Sequence, residues 1–166
     1  MGIKIASKNY STHMPLFIKV LLASEGDVVE LGGGIYSTPF LHWFCKHQNR
    51  KLTTYENHPD YYHYESRFQS NLHRVKYVKS WDDIEIKDKV SIVFLDHHPS
   101  NRRSVDAIKF KDKADFIIIH DTERDDENYD YSRIWPHFKY RYDYKDAKPY
   151  TSVVSNFIDV TKWQNN

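Results

Sequence analysis

The segment Asp27–Thr38, which reads Asp-Val-Val-Glu-Leu-Gly-Gly-Gly-Ile-Tyr-Ser-Thr, constrains the fold of this chain more than any other. A short apolar run carries Glu30 near its end, and three glycines then precede a segment that reads as a helix. This order is typical of a strand that delivers its carboxyl end to a tight turn with open backbone amides. In an α/β protein such a turn holds a cofactor, so the segment predicts a fold class and a binding site together.

Helix-like and strand-like patterns alternate along the rest of the chain. The spacing of apolar residues predicts helices over residues 14–24, 38–47, 59–72 and 101–110, and a short one over 129–135. Short apolar runs predict strands over residues 28–31, 51–55, 75–78, 90–95 and 116–119. Residues 138–144 and 151–157 alternate as an antiparallel strand pair would.

This alternation predicts an α/β fold with a mostly parallel sheet, covered on both faces and ending in an antiparallel pair. The 166 residues suit one domain, with a loop and helix over 1–26 and the sheet over 27–166. Right-handed crossovers bring the carboxyl ends of the parallel strands to one edge. Carboxylates stand at four of these ends, which predicts a ligand site there: Glu30, Glu56, Asp96 and Asp121.

The amino-acid composition limits which binding partners and which cellular compartment are expected for this protein. Lys and Arg (24) nearly balance Asp and Glu (23), so no bulk field attracts nucleic acid or an anionic membrane. No apolar run approaches the roughly 20 residues that a membrane-spanning helix needs. The single cysteine, Cys45, lies on an apolar helix face and suits the core of a protein in a reducing compartment. We expect a cytoplasmic protein that does not bind a membrane, and the charge balance disfavours nucleic acid as its partner.

Glu30 discriminates between cofactors. The spacing Gly32-x-Gly34-x-x-Ser37 matches the dinucleotide fingerprint except for its last position, where Ser37 replaces glycine. A carboxylate two residues before Gly32 disfavours a pyrophosphate and favours a cationic ligand. S-adenosylmethionine carries a sulfonium and an ammonium group, so a nicotinamide dehydrogenase is the least favoured alternative.

Residues in two further segments suit the rest of S-adenosylmethionine. Glu56, with Asn57 beside it, follows Gly32 by 24 residues, and an ionised carboxylate accepts hydrogen bonds from both ribose hydroxyls. Ser80 and Trp81 suit hydrogen bonding to adenine and stacking on it.

Four motifs resemble those of a known superfamily. Glu30-Leu-Gly-Gly-Gly34 and Tyr55-Glu-Asn-His-Pro-Asp60 resemble the first two motifs of the class I S-adenosylmethionine-dependent methyltransferases. Phe94-Leu-Asp-His97 and His120-Asp-Thr122 are similar to motifs of the catechol O-methyltransferase group and related small O-methyltransferases. The resemblance covers about residues 27–123. It implies a Rossmann-like doubly wound sheet and methyl transfer to a hydroxyl of a small molecule or sugar.

The resemblance also implies roles for individual residues. Thr38 would bind the carboxylate or amine end of the cofactor, and Asp96 would lie near its methyl group. Asp96, Asp121 and Thr122 would ligate a magnesium ion. The other residues that would border the cofactor are Glu30, Gly32, Gly33, Gly34, Glu56, Ser80 and Trp81.

The metal set has alternatives. Two carboxylates and a hydroxyl suit Mg²⁺, whereas His120 as a ligand would favour zinc, manganese or iron. Asp96 and Asp121 could instead cap the helices that follow them.

The proton acceptor departs from the family pattern. The catechol enzymes have a lysine base three residues after the aspartate of their fourth-strand motif, and Pro99 stands there in this chain. His97 or His98 could replace it as a catalytic base, because imidazole titrates near neutral pH. Both could equally be ordinary loop histidines.

Two polar segments have an open role. His13 either folds over the cofactor or belongs to a loop that caps the first helix through Ser11 or Thr12. Arg102 and Arg103 could pair with a phosphate or carboxylate of the substrate, although we favour a solvated helix start.

The acceptor site would be covered by residues 1–15 or 122–136, and the acidic segment 123–127 would form its rim or a solvated loop. Two other functions stay open: a cofactor-binding module without chemistry, and a methyltransferase for nucleic acid or protein. The chain lacks an Asn/Asp-Pro-Pro-Tyr motif and a basic stripe, which argues against the second. The final strand pair could join two copies in a homodimer.

Overall fold

The computed structural model describes residues 7–123 and 129–165, which fold around a seven-stranded sheet. The strands are β1 (Val28–Leu31), β2 (Leu52–Glu56), β3 (His73–Tyr77), β4 (Val90–Leu95), β5 (Ala114–His120), β6 (Tyr140–Tyr144) and β7 (Thr151–Ser155). The α-helices are α1 (Met14–Leu22), α2 (Ser37–His47), α3 (Pro59–Glu65) and α4 (Arg102–Phe110).

The strand order is β3-β2-β1-β4-β5-β7-β6. The first five strands pair in parallel, and β7 runs antiparallel to both β5 and β6. The prediction of a mostly parallel sheet with an antiparallel end is therefore confirmed. The chain reverses its direction of winding between β1 and β4, so the loops after these two strands diverge and leave a crevice at their carboxyl ends.

Apolar layers cover both faces of the sheet. One layer contains Phe17 of α1, Leu41 of α2 and Phe116 of β5. The other layer lies on the opposite face and includes Phe110 and Ile134. The burial of β4 on both faces explains its near-continuous apolar sequence. Cys45 is buried in the first layer, as predicted.

Two predicted helices are shorter than their sequence patterns. The helix expected over 59–72 ends at Glu65, because the hydroxyl of Ser66 donates to the Tyr62 carbonyl (2.6 Å) and the chain continues as a 3₁₀ turn. This early end lets β3 begin at His73, opposite Leu52. The helix expected over 129–135 is two short 3₁₀ turns, Tyr131–Arg133 and Trp135–His137.

The sheet ends at β6, whose residues are all half-buried. A 3₁₀ turn over Thr161–Asn165 lies against this strand, with the Trp163 ring 6.2 Å from that of Tyr142. Among the described residues, no helix has the length and apolar character needed to cross a bilayer.

Candidate active site

A cavity of about 540 Å³ opens at the carboxyl edge of the sheet, where the loops after β1, β2, β4 and β5 meet. Most of the predicted site residues line it: His13, Gly32, Gly33, Gly34, Glu56, Asn57, Asp96, His97, His98, His120 and Asp121. Other predicted residues lie outside its lining: Glu30, Thr38, Ser80, Trp81 and Thr122. The sequence did not single out Tyr36 or Tyr61, which also line the cavity. Their aromatic rings give it apolar walls.

The glycine turn needs two of its glycines for packing. Gly32 has φ of +76°, and a Cβ at this position would overlap the backbone of His97. A Cβ on Gly33 would overlap the carboxyl group of Glu65 and the hydroxyl of Thr38. The missing side chains therefore let the loop after β1 lie directly against the loop after β4 and the end of α3.

Glu30 lies beneath this turn. Its carboxyl group is fully buried and accepts hydrogen bonds from the hydroxyls of Thr38 (2.9 Å) and Thr54 (2.7 Å). Burial raises the pKa of Glu30 to about 7, against the hydrogen bonds that it accepts. Thr38 in turn accepts the backbone N–H of Gly34 (3.0 Å). Glu30 and Thr38 thus hold the turn in place, and their contact with a cofactor stays a prediction.

Glu56 faces the cavity from the end of β2. Its Oε1 accepts the backbone N–H groups of Asn57 (2.8 Å) and His58 (2.7 Å), and its Oε2 accepts that of Gly33 (3.1 Å). Burial raises the pKa of Glu56, and these three hydrogen bonds oppose the rise. A carboxylate has about four acceptor positions, so Oε2 keeps one for a ligand hydroxyl.

Glu65 is a functional candidate that the sequence did not reveal. It lies against Gly33, it is fully buried, and neither carboxyl oxygen has a hydrogen-bond partner among the described residues. Burial, together with the nearby Glu30 and Glu56, raises its pKa to about 10. Glutamate on a helix usually faces solvent, so no sequence pattern would have marked this one as buried.

Arg103 joins the loops after β4 and β5. Its guanidinium pairs with Asp96 (2.9 Å) and Asp121 (2.7 Å) and donates to the backbone carbonyls of His97 and His120. Arg103 is only 6% exposed, so the expected solvated helix start is wrong at this position. Asp121 meets it from a left-handed conformation, with φ of +62°.

Arg102 is half-buried and also paired. It binds Asp82 (2.5 Å) and donates from Nε to Asp106 (3.1 Å). Arg102 and Arg103, which the sequence offered as partners for a substrate phosphate or carboxylate, therefore form ion pairs within the protein.

The predicted magnesium ligands are engaged by other groups. The Arg103 guanidinium lies between Asp96 and Asp121, and the hydroxyl of Thr122 is hydrogen-bonded to that of Ser152 (2.8 Å). A magnesium ion at these three residues stays a prediction.

His13, Asp96 and His120 come together instead. One ligand atom from each lies within 4.8 Å of the others. His120 Nδ1 is 3.1 Å from Asp96 Oδ1, and His120 Nε2 is 3.0 Å from the hydroxyl of Thr12. Burial lowers the pKa of His120, but the charge and hydrogen bond of Asp96 outweigh it and raise the pKa above its usual value. Burial lowers the pKa of His13 to about 4.

The two histidines after β4 differ in their surroundings. His97 is buried, and its Nε2 lies 2.9 Å from Asp106, which fixes the ring. Burial lowers the pKa of His97, against the opposing effect of Asp106. His98 is exposed, and its backbone carbonyl accepts hydrogen bonds from the side chains of Asn57 (3.1 Å) and Trp81 (2.9 Å).

Ser80 and Trp81 lie next to the loop after β4, which carries His97 and His98. Ser80 caps the 3₁₀ turn Trp81–Asp83 by accepting the N–H of Asp82 (3.2 Å). Trp81 is buried, with its ring 4.4 Å from that of His97. Their contact with adenine stays a prediction.

The structure describes part of the segments predicted to cover the acceptor site. Asn9 and Tyr10 precede α1 and line the cavity with His13. The acidic segment 123–127 lies outside the described residues after Glu123, whose carboxylate accepts the N–H of Tyr150 (2.7 Å).

Comparisons with known proteins found no matching family model and no matching curated protein. Solved structures do match. Cofactor-bound Rv0187 from MTB has a TM-score of 0.67 at 15% identity, over 94% of this chain and 84% of that one. A candidate O-methyltransferase from Klebsiella pneumoniae has a TM-score of 0.66 at 12% identity, over 95% and 84%.

Human METTL16 is similar in two states. Its N-terminal domain in complex with SAH has a TM-score of 0.64 at 8% identity, over 94% of this chain and 73% of that one. Its catalytic domain in complex with the MAT2A 3'UTR hairpin 1 has a TM-score of 0.63 at 10% identity, over 95% and 73%. With the strand order and the cavity at the switch point, these similarities show that the chain has the fold of the class I S-adenosylmethionine-dependent methyltransferases.

Proposed function

We propose that this protein binds S-adenosylmethionine in the cavity and transfers a methyl group to a hydroxyl of a small molecule or sugar. One observation carries the proposal. The glycine turn and Glu56 line the same cavity as Asp96, His98 and His120. Groups suited to hold the donor therefore lie beside groups suited to handle the proton of an acceptor.

The residues present fit the donor. A volume of about 540 Å³ is within the range of roughly 300–1,000 Å³ that small-molecule sites have. Glu56 keeps an acceptor position for a ribose hydroxyl, and the glycine turn presents no side chain to the ligand. Tyr10, Tyr36 and Tyr61 supply aromatic surface for planar or apolar parts of the ligands.

Bound S-adenosylmethionine supplies a methyl group already activated by its positively charged sulfur. The protein's part is to align the acceptor oxygen with that carbon and to take up the hydroxyl proton. Of the two histidines after β4, His98 is exposed at the cavity, whereas His97 is fixed by Asp106 with its Nδ1 shut off from solvent. We therefore assign proton uptake to His98 and positioning of its loop to His97.

A divalent cation would assist by lowering the pKa of the acceptor hydroxyl. Magnesium held by Asp96, Asp121 and Thr122 would supply this in the manner of the catechol enzymes. Activity that survives exhaustive chelation would exclude such a role.

Calorimetry with S-adenosylmethionine and S-adenosylhomocysteine tests the donor site. We expect one site per chain and a loss of affinity of about tenfold or more in Glu56→Ala, because the variant loses the ribose acceptor and the anchor of the Gly33 amide. The exposed Glu25→Ala is the matched control and should bind as the wild type does. A folded wild-type protein that binds neither ligand would refute the proposal.

Turnover separates an enzyme from a cofactor-binding module. Catechols, sugars and nucleosides are each incubated with S-adenosylmethionine, and formation of S-adenosylhomocysteine is measured. We expect product with at least one hydroxylated class and a fall of about 10²-fold or more in kcat for His98→Ala. Tight donor binding without product from any class would favour the module.

A macromolecular acceptor is the second candidate, favoured by the similarity to METTL16 bound to an RNA hairpin. If this candidate is right, RNA hairpins added to the turnover assay should compete with the small-molecule acceptors for the active site. Binding that weakens steeply with salt would support it, since phosphate contacts release counterions.

A further inference from the structure

His13 is a buried histidine whose ring nitrogens have no hydrogen-bond partner among the described residues. The side chain is 1% exposed, and its ring packs against Phe94 and His120, 5.0 Å from each. Leaving a buried polar group in this state is costly unless something else satisfies it. A neutral imidazole has one nitrogen lone pair, which can bind a ligand.

His120 faces His13 and has a defined tautomer when neutral. The hydroxyl of Thr12 gives its single proton to a backbone carbonyl, that of Pro149 at 2.8 Å being the shorter contact. Thr12 therefore accepts at His120 Nε2 (3.0 Å), which carries the ring proton. The lone pair of the neutral ring is then on Nδ1, 3.1 Å from Asp96 Oδ1. A proton on Nδ1 satisfies this contact in the metal-free protein, and a bound metal ion would replace that proton.

The three groups approach the spacing of metal ligands. At near-tetrahedral angles, bonds of about 2.0–2.2 Å place neighbouring ligand atoms roughly 3.3–3.6 Å apart, and the His120–Asp96 distance of 3.1 Å is a few tenths of an ångström shorter. The ligand atoms of His13, Asp96 and His120 all lie within 4.8 Å of one another. The Thr12 hydroxyl is the kind of outer partner that orients a metal-binding histidine.

The surrounding charge permits a divalent cation. With His120 neutral, as a metal ligand must be, Arg103 supplies one positive charge against the two negative charges of Asp96 and Asp121, so the cluster keeps an excess negative charge. Asp96 remains 25% exposed on the cavity side, which gives an ion a path in. The same exposure leaves a coordination position open toward the cavity.

We propose that His13, Asp96 and His120 bind one divalent transition-metal ion, such as Zn²⁺, through two imidazole nitrogens and one carboxylate oxygen. This set differs from the all-oxygen set Asp96, Asp121 and Thr122, and two nitrogens with one oxygen favour zinc, iron or manganese over magnesium. Three protein ligands with an open position are the arrangement of a catalytic metal. Only the use of that position by an acceptor oxygen rests on the proposed methyl transfer; the site itself does not.

Metal binding is tested with the metal alone. EDTA-treated protein is titrated with Co²⁺, followed by its visible absorption, and Zn²⁺ and Mg²⁺ are then added as competitors. We expect one Co²⁺ per chain, displaced by Zn²⁺, and a Mg²⁺ affinity at least about 100-fold weaker. No stoichiometric binding, or Mg²⁺ binding as tightly as Zn²⁺, would overturn the proposal.

His13→Phe removes the ligand nitrogens and keeps a ring against Phe94, 5.0 Å away in the wild type. We expect at least tenfold weaker Co²⁺ binding, with thermal unfolding of the metal-free variant close to that of the wild type. His63→Ala removes an exposed histidine of α3 and should bind Co²⁺ unchanged. Equal affinity in wild type and His13→Phe would refute the assignment.

A second measurement does not depend on a variant that folds. Pulsed electron paramagnetic resonance of Cu²⁺ bound to the wild type counts imidazole nitrogens through their coupling to the electron spin. Two coupled imidazoles would support the site, and one or none would overturn it. Because these measurements contain no S-adenosylmethionine, failure of the metal site is distinguishable from failure of donor binding in calorimetry.

Discussion

At the scale of single residues, the carboxyl groups around the glycine turn are buried in the protein rather than exposed to solvent. Glu65 is fully buried against Gly33, Glu30 is fully buried against Thr38, and Glu56 anchors the Gly33 amide. Burial of carboxyl groups this close together disfavours their charged forms. The local packing therefore sets both the shape of the turn and its response to pH.

Glu65→Gln should stabilise the protein at alkaline pH. The folded pKa of Glu65, about 10, lies above the ordinary value of 4.5, so the folded state keeps a proton that the unfolded chain releases. The stability that Glu65 contributes is fully present below pH 4.5 and is lost as the pH rises toward 10. One proton changes the free energy of unfolding by at most about 1.4 kcal/mol per pH unit.

Urea unfolding of both proteins between pH 5 and 9 measures this difference. The advantage of Glu65→Gln should grow with pH, whereas the exposed Glu25→Gln should follow the wild type throughout. A constant or shrinking advantage would show that Glu65 ionises normally.

Gly33→Ala should destabilise the protein by about 1–3 kcal/mol, because the added methyl group overlaps the Glu65 carboxyl group and must displace it. Gly34→Ala is the matched control, since a Cβ there meets only the Ser37 hydroxyl, at 3.5 Å. Chemical denaturation compares the two variants. Equal stability of the two variants would mean that the Glu65 carboxyl group moves away from the added methyl group without loss of free energy of unfolding.

At the scale of elements, the carboxyl ends of β4 and β5 are joined by one side chain from α4. Arg103 pairs with both carboxylates and with the backbone of both loops. Helix α4 therefore does more than cover the sheet, because it fixes the two loops that carry Asp96, His98 and Asp121 to the cavity.

Arg103→Gln should cost about 3–5 kcal/mol, because it leaves Asp96 and Asp121 without their partner in a mostly buried site. Arg133→Gln is the control, since Arg133 and its partner Asp130 are 66% and 45% exposed and solvent can replace that pair. Urea unfolding at pH 7 should rank the wild type close to Arg133→Gln, and both above Arg103→Gln. A reversed order would remove Arg103 from this structural role.

At the scale of the whole molecule, the cavity collects residues from four strand ends and from the segment before α1. A ligand that binds there touches parts of the chain that are far apart in sequence. Such a ligand should stabilise the fold as a unit.

S-adenosylhomocysteine at 100 times its dissociation constant should raise the free energy of unfolding by about 2.7 kcal/mol, since it binds only the folded state. Thermal unfolding with and without the ligand checks this, and NAD is the control because the sequence predicts that a carboxylate before the glycine turn disfavours a pyrophosphate. No shift with S-adenosylhomocysteine, or an equal shift with NAD, would contradict the proposed ligand.

Sequence patterns were sufficient for the fold because they are local. The apolar runs of β1 and β4, the glycines between Leu31 and Ile35, and the position of Glu56 after β2 each follow from near neighbours in the chain. With right-handed crossovers these patterns place the strand ends at one edge. The α/β class, the sheet with its antiparallel end and the location of the cavity were predictable for this reason.

Contacts between distant segments were decided only by the tertiary structure. Nothing near Glu65 in sequence shows that Gly33 will cover it, and Arg103 reads as an exposed helix start until β4 and β5 bring Asp96 and Asp121 to it. His13 and His120 lie more than a hundred residues apart, and the fold packs their rings 5.0 Å from each other. Periodicity and motif spacing report which face of an element is buried, whereas the partner on that face depends on how the elements pack.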